Sequence, residues 1–469
     1  MGNMLLQLKR GLSLNDTNGN RDGGYVHDAS CGLYRNCLEA DNSSEYPAIM
    51  LTFNIDPSRR ISKFEVEKNK EKYEGKVFVT PRGNYYLKLP IGVIPEILIN
   101  LIRRRDFLKD ELKRMGIEGK FGTPEYKQKE EESDALKSLI NSFFGTIGAE
   151  DENLFRFRDV ESFGDITCIG RLHERWNIRI IKDEFGAIII YGDTDSVKFI
   201  LPGITILKDL IEMGFEITTK LNASYLEMLK PFGIETHYLN VKFVGIFDFL
   251  QWNAKKNYVQ CWLYKDGKIL TDLPIKERLE VKGSKSIRSD ASAYTKKMLD
   301  DFFELVFVNG EIVELKKFVL YQESFFRKRL IPIEELHRPI GLKKRLTSYA
   351  RGRTPVQIRA MTFSNEHLGK HFKGGDKILY CWGNAIDATT GQILSDVWAI
   401  EYGDRLDRLS EKFNIIFAPD WDRLMKNNLV KPLFGDKKGK TKGPMNAFGI
   451  SWDEILMGYK QASLFSFGE

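Results

Sequence analysis

The apolar β-branched run Ile188-Ile189-Ile190 stops at Tyr191-Gly192, and alternation resumes at Val197 and Phe199 after Asp193-Thr194-Asp195-Ser196. That pattern predicts two strands joined by a hairpin with carboxylates at its tip. Strand alternation puts Asp193 and Asp195 on the same side. Two like charges so close raise each other's pKa and oppose the turn unless a cation lies between them. Hard divalent ions such as Mg²⁺ use one or two carboxylates plus substrate phosphates. A bare Asp-x-Asp is more often a water-facing turn; here the apolar strand before it and a second acidic site upstream favour a metal. An EF-hand loop is excluded, because its glycine and terminal glutamate do not follow at the required offsets.

The upstream acidic site lies where a strand candidate, Gly32 to Ala40, runs into Asp41-Asn42-Ser43-Ser44-Glu45-Tyr46-Pro47 and then a helical pattern, Ala48 to Phe53. Backbone N–H groups in such a turn form an anion-binding nest, although Asp or Ser before a helix also serves as an ordinary N-cap. From Val93 apolar positions recur at helical spacing; a break at Gly116 to Pro124 separates them from a second helix, Lys127 to Phe144, so the two read as a helical hairpin. Arg105 and Lys109 share one face, as do Lys137 and Asn141, and facing cations suit a triphosphate; a solvated charged face is the plain alternative. A mixed stretch, Phe155 to Arg175, and a helix lead to the Asp193/Asp195 hairpin. Ile206 to Leu229 reads as a helix, and Val241 to Leu250 and Tyr258 to Tyr264 as strands.

Beyond the hairpin, Lys255, Lys256 and Tyr258 form a basic-aromatic turn, and Lys282, Gly283 and Arg288 stand in a second basic segment; both read as contacts to a phosphate backbone or as solvated loops. From about Met298 the pattern is largely helical, with Lys344 and Arg345 in a basic stretch, a β-like segment at Lys377 to Trp382 and a Lys/Gly-rich insertion from Gly435 to Pro444. The opening to Gly24 reads as loop, and the tail from Lys460 carries Leu464, Phe465 and Phe467 as a docking peptide.

Composition narrows the picture only slightly. With 469 residues and 42% hydrophobic content, the chain exceeds one core. The formal charge of +6 permits a nucleic-acid partner without requiring one. Five scattered cysteines with no CxxC pair predict neither a zinc site nor a disulfide framework, and so an intracellular, cytoplasmic protein. No apolar run reaches membrane-spanning length, so no membrane partner is expected.

The segment Asp41 to Pro47 resembles the first palm motif of family B DNA polymerases, Asp-x-x-Ser-Leu-Tyr-Pro-Ser. Lys137-Ser138-Leu139-Ile140-Asn141-Ser142-Phe143-Phe144-Gly145 resembles their fingers motif, Lys-x-x-x-Asn-Ser-x-Tyr-Gly, and Tyr191-Gly192-Asp193-Thr194-Asp195-Ser196 resembles the third palm motif, matching it letter for letter. Thr52 to Pro57, Ile166 to Arg171, Lys255 to Tyr258 and Lys282-Gly283 are similar to lesser blocks, in the family's order. The tail resembles the sliding-clamp-binding peptide of T-even-type phage polymerases, which implies a phage or viral replicase.

The resemblance implies an α+β right-hand fold. Its parts would be an N-terminal segment and first part of the palm (1–92), helical-hairpin fingers (93–145), an antiparallel-sheet second palm part (146–297), a mainly helical thumb (298–459) and a clamp-binding tail (460–469). It implies a DNA-directed DNA polymerase in which Asp41, Asp193 and Asp195, with the Asn42 carbonyl, hold two Mg²⁺ ions, with Mn²⁺ as a substitute, for attack of a primer 3′-hydroxyl on the α-phosphate of a dNTP. Arg105, Lys109, Lys137, Asn141 and the backbone of Ser43, Ser44 and Glu45 would grip the triphosphate, with Tyr46 against the sugar and Phe144 beside it. Thr194, Lys255, Lys256, Tyr258, Lys282, Gly283, Arg288, Lys344 and Arg345 would hold primer-template DNA. Glu45 departs from the family's Leu and Phe144 from its Tyr. So little chain precedes the first motif that a split polymerase is expected, with its exonuclease on a separate subunit; an enzyme naturally without an exonuclease and a shortened chain are the alternatives. The alternative is a catalytically silent scaffold in a replication complex, for which Glu45 is the main argument.

Overall fold

The computed structural model describes residues 26–27, 31–149, 156–254, 257–283, 289–308, 311–342, 354–435 and 442–455. They divide into two compact units: one holds the described residues up to 28, then 36–246 and 265–268, and the other holds 31–35, 247–264 and the described residues from 269 onward.

The first unit is built on strands β1 (Val26–His27), β2 (Gly32–Asn42), β6 (Ile188–Asp193), β7 (Ser196–Ile200) and the first part of β8 (Val241–Ala254), in the order β1-β6-β7-β2-β8. The expected hairpin is there: β6 and β7 pair antiparallel from Ile188↔Ile200 to Asp193↔Ser196. Ser196 also stands opposite Asp41 in the β2–β7 ladder. Register alone therefore carries Asp41 to the hairpin tip, across a long span of sequence. A small sheet of β3 (Arg60–Ile61), β4 (Val77–Val79) and β5 (Tyr85–Leu87) has the order β3-β5-β4.

Helix α1 (Glu45–Thr52) follows β2 directly. Then come α2 (Val93–Ile117) and α3 (Pro124–Ile147), the expected helical hairpin, and α4 (Val160–Asp183), which packs on β6 and β7, with α5 (Leu207–Leu229) beside it. Within the stretch that reads as mixed, the residues from Val160 onward form α4, which is buried almost all round, polar residues included. Thr123 accepts from the Tyr126 amide and Pro124 occupies the first turn, which explains where α3 starts.

The start of α2 shows how one lesser block works. Asp56 is fully buried and accepts from the amides of Ser58 and Ile94, both at 2.8 Å. Asn54 accepts from the Gly92 amide at 2.8 Å and donates to the Leu87 carbonyl at 2.8 Å. A Cβ at Gly92 would come 2.5 Å from that of Asp56, so the close approach requires glycine there.

In the second unit β9 (Asn257–Lys265) pairs antiparallel with β11 (Leu279–Lys282), β10 (Lys268–Ile269) lying between them in sequence. Farther on, β13 (Lys377–Asp387) pairs with β14 (Ile393–Ile400) on one edge and, in succession, with β12 (Arg338–Gly341) and β15 (Ile415–Pro419) on the other. This sheet, with fully buried Trp398, shares one core with Phe302 and Phe303 of the helix Ala293–Val308. The segment expected to be mainly helical thus carries a four-stranded sheet among its helices; its alternating apolar positions, Ile378 and Tyr380 and then Val397 and Ala399, are what build it.

Replacing Asp56 with Ala strands the Ile94 and Ser58 amides in a buried setting. Asp56→Ala is expected to lower stability by about 2–3 kcal/mol, read as a lower denaturant midpoint at unchanged slope.

Candidate active site

At the hairpin tip Thr194 adopts φ +68°, and the Asp195 amide donates to the Asp193 carbonyl at 2.7 Å. A β-branched residue in this region is strained, so the surrounding contacts must hold it there. One of them is the Asn42 amide, which donates to the Asp195 carbonyl at 2.7 Å. The end of β2 and the hairpin tip are thereby locked together.

Around this lock lies a pocket of about 370 Å³. Asp41, Asn42 and residues 44–47 line it from the β2–α1 turn, Lys137 and Asn141 from α3, and Thr194 and Asp195 from the tip. Asp193 is not part of this lining; it pairs in register with Val26 and Ser196. The alternation that puts both aspartates on one side ends where the strand ends, since Asp195 belongs to the turn.

On α3, Lys137 and Asn141 are exposed and face the pocket, and the Lys137 charge is felt by Asp41. Arg105 instead donates to the Ser133 carbonyl at 3.3 Å, one helical turn before Lys137. Lys109 lies 3.6 Å from Asp106; burial and then the Arg105 charge push its ammonium pKa down. These two cations belong to the hairpin but stand outside the pocket lining. The Ser43 amide donates to the Asn240 carbonyl at 2.9 Å, so the anion nest narrows to Ser44 and Glu45.

Tyr46 borders the pocket with its ring 4.1 Å from that of Phe144, which stacks in turn on Phe163 at 4.6 Å. Glu45 borders it too, but its carboxyl is buried. Its Oε1 makes a 2.8 Å hydrogen bond with Nδ1 of His173 on α4. Burial pushes the Glu45 carboxyl pKa well up and the His173 imidazole down to about 3, so the uncharged forms are favoured. Glu174 is fully buried beside it, and neither of its oxygens has a hydrogen-bond partner among the described residues. Burial, then the charges of Asp195, Asp193 and Asp41, push its pKa well up. Sequence reasoning missed His173, Glu174 and Asn177; no motif marks them, and polar residues inside an amphipathic pattern read as surface.

In the second unit Tyr258 and Lys282 stand directly opposite in the β9–β11 ladder, with Gly283 following at φ +65°. The Lys282 ammonium lies 2.8 Å from Glu280. Lys255, Lys256, Arg288, Lys344, Arg345, Leu464, Phe465 and Phe467 fall outside the described residues.

The profile of DNA polymerase family B matches residues 8–397. The chain belongs to this family. It is 26% identical over 321 residues to a DNA polymerase of Thermococcus gorgonarius, covering 67% of this chain and 36% of that protein. It is 26% identical over 375 residues to DNA polymerase II of Escherichia coli K12, covering 77% and 42%. With the DNA polymerase delta catalytic subunit of rice, Oryza sativa subsp. japonica, it shares 23% identity over 340 residues, covering 70% and 28%. The chain therefore spans well under half the length of these family B relatives. No helix among its described residues is long and apolar enough to cross a membrane.

The pocket's donors fit a hard divalent cation. Asp41 and Asp195 are carboxylates bordering one pocket, close enough for the Asp195 charge to act on Asp41, whereas no group of three or more His, Cys, Asp or Glu among the described residues forms a protein-only cage. Two carboxylates completed by phosphate oxygens is the pattern Mg²⁺ favours. Burial, then Asp195 and Glu39, push the Asp41 carboxyl up to about 7, against the opposing charges of Lys198 and Lys137.

Two outcomes follow from this geometry. The folded chain binds the Asp41 proton more tightly than the unfolded chain. Without divalent cation its contribution to stability is full below about pH 4 and is lost as pH rises through about 7. Asp41→Asn removes that loss, so melts at about pH 8 should show the variant more stable by on the order of 1–3 kcal/mol, and added Mg²⁺ should stabilise the parent but not the variant. Thr194→Gly relieves the turn, and is expected to raise stability by on the order of 1 kcal/mol in chemical denaturation.

Proposed function

We propose that this pocket is the nucleotidyl-transfer centre of a DNA-directed DNA polymerase, with the first unit supplying palm and fingers. Membership of family B supports the reaction class. The single observation that carries the assignment to these residues is the convergence of Asp41, Asp195, Lys137 and Asn141 on one pocket, from three segments far apart in sequence.

In this reading Asp41 and Asp195, with the Asn42 carbonyl, would hold Mg²⁺, and the chemistry it would supply is activation of the primer 3′-hydroxyl and charge stabilisation of the leaving pyrophosphate. Asp193 keeps the hairpin in register, and Lys137 and Asn141 on α3 bind and orient the triphosphate. Arg105 and Lys109 add positive potential farther along the same hairpin. The amides of Ser44 and Glu45 contribute donors at the start of α1. Tyr46, backed by Phe144, forms the wall beside the sugar. Tyr258 and Lys282, a cross-strand pair, bind the duplex backbone in the second unit, together with the basic residues near them in sequence. An exonuclease on another chain, and a sliding clamp engaged by the tail in a phage or viral replicase, are the partners to seek by co-purification. The ground for a silent scaffold weakens, because the Glu45 carboxyl is enclosed against His173 and is not presented to a base pair.

Primer extension with Mg²⁺ tests the reading. Asp195→Ala and Asp41→Ala, each melting as a folded protein, are expected to lower single-nucleotide incorporation by at least about a thousandfold. Extension surviving either change within tenfold sinks the assignment of these residues.

A further inference from the structure

We propose that the buried Glu45–His173 pair fixes the ring of Tyr46, and is thereby a specificity-determining positioning pair for the sugar of the incoming nucleotide. The inference rests on the reading of the pocket as a nucleoside triphosphate site.

Glu45 and Tyr46 are the first two residues of α1, and both are seated on the same turn of α4. A Cβ on Gly170 would come 3.0 Å from the Tyr46 ring carbon Cε1 and 3.2 Å from Oε2 of Glu45. One turn along α4, His173 grips the other Glu45 oxygen at 2.8 Å. Gly170 and His173 therefore form a seat with a flat floor and a polar latch. Latch and ring are adjacent in the chain, so a Glu45 side chain released from His173 also frees the first turn of α1 that carries Tyr46.

The latch is itself held. The His173 ring meets Tyr225 edge-on with centroids 4.5 Å apart, and the Tyr225 hydroxyl donates to Oδ1 of Asn177 at 3.0 Å. Asn177 reaches Oδ1 of Asn42 at 3.5 Å, at the long limit for a hydrogen bond. One face of α4 thus holds both ends of the β2–α1 turn: Asn42 beside the pocket's carboxylates and Glu45 beneath its aromatic wall.

Apolar packing alone would be the simpler way to seat this turn. Glu45 Oε2 and His173 Nε2 both lack a hydrogen-bond partner among the described residues. Burying such atoms costs stability that an apolar pair would not. What a hydrogen bond adds over apolar contact is direction: it selects one rotamer of Glu45 on a floor where an added methyl group would already be tight, at 3.0 Å from the Tyr46 ring and 3.2 Å from Glu45 Oε2.

The test uses the full chain on primer-template DNA. Glu45→Gln keeps an acceptor for His173, and His173→Asn keeps a group overlying Nδ1; Glu45→Leu and His173→Leu break the latch. Incorporation of dATP and ATP gives the deoxy-to-ribo preference, and equilibrium binding of both to a complex with a dideoxy-terminated primer gives the same ratio without chemistry. Each Leu variant should raise KM for dATP about tenfold with kcat within threefold, and cut the deoxy-to-ribo preference at least tenfold. The Gln and Asn variants should stay within threefold of the parent, and the double Leu variant should lose less than the product of the two single losses. Where a Leu variant does not fold, His173→Gln, whose amide overlies Nε2 and not Nδ1, serves as the milder break with the same expected loss. Folded variants with parental preference in both assays overturn the inference and leave the polymerase reading intact, as would losses that simply multiply. A parent chain that binds neither nucleotide overturns both. A parent that binds nucleotide but does not extend fails the polymerase reading alone, because the binding ratio still decides the role of the pair.

Discussion

The site depends on a repulsion that the backbone does not allow to relax. Asp41 and Asp195 are carried to one point by strand register, and the bond from the Asn42 amide to the Asp195 carbonyl prevents the tip from swinging away. Carboxylates free to move would separate until water screened them. The fold offsets part of the cost one layer down, where fully buried Lys198 forms an ion pair with Glu39, its cross-strand neighbour in the β2–β7 ladder. The Lys198 charge lowers the Asp41 pKa while Glu39 raises it, so the pair corrects the field at Asp41 without neutralising it. A carboxyl left near neutrality in its titration is one whose charge a divalent cation can readily claim.

Beneath the carboxylates, α4 presents polar groups where a helix of this size ordinarily presents aliphatic ones. Glu45 and Glu174 are both enclosed, and burial is the first cause of the rise in both of their pKa values. Pushed toward their uncharged forms, they contribute less negative potential at the pocket that Asp41 and Asp195 border together with Lys137. The support for the β2–α1 turn is therefore directional and shifted toward neutrality.

Much of this was legible in the residues. The β-branched run before Tyr191-Gly192 announces its hairpin because period-2 alternation and a glycine leave few other conformations; the second helix of the α2–α3 pair was legible too, although its start at Pro124, capped by Thr123, lies ahead of the Lys127 that the spacing gives. What was not legible has physical reasons. Alternation assigns sides only within a strand, so it says nothing of where Asp195 points once that residue belongs to the turn. Helical spacing says that Arg105 and Lys109 share a face but not which turn of the hairpin reaches the pocket, and the structure gives that place to Lys137 and Asn141. In α4 the apolar period is present, yet it cannot tell that the opposite face is covered too; His173, Glu174 and Asn177 look solvated until tertiary packing encloses them.

In the proposed reading, the groups for a triphosphate and the groups for a cation sit on supports of different rigidity. The carboxylates sit on paired strands backed by a buried helix. Lys137 and Asn141 sit on α3, whose buried side chains are Ser133, Ile140 and Ile147 alone among its 24 residues. An element with so few buried contacts costs little to displace. Its attachment near the site is the stack of Tyr46, Phe144 and Phe163, joining α1, α3 and α4, while the far side of the hairpin is tied down where Asp56 caps α2. Movement of α3 about that base would change the distance from Lys137 to Asp41 and would be felt first by the Tyr46 ring, the wall on which Phe144 rests. The aromatic stack thus joins the half of the site carried on paired strands to the half carried on α3.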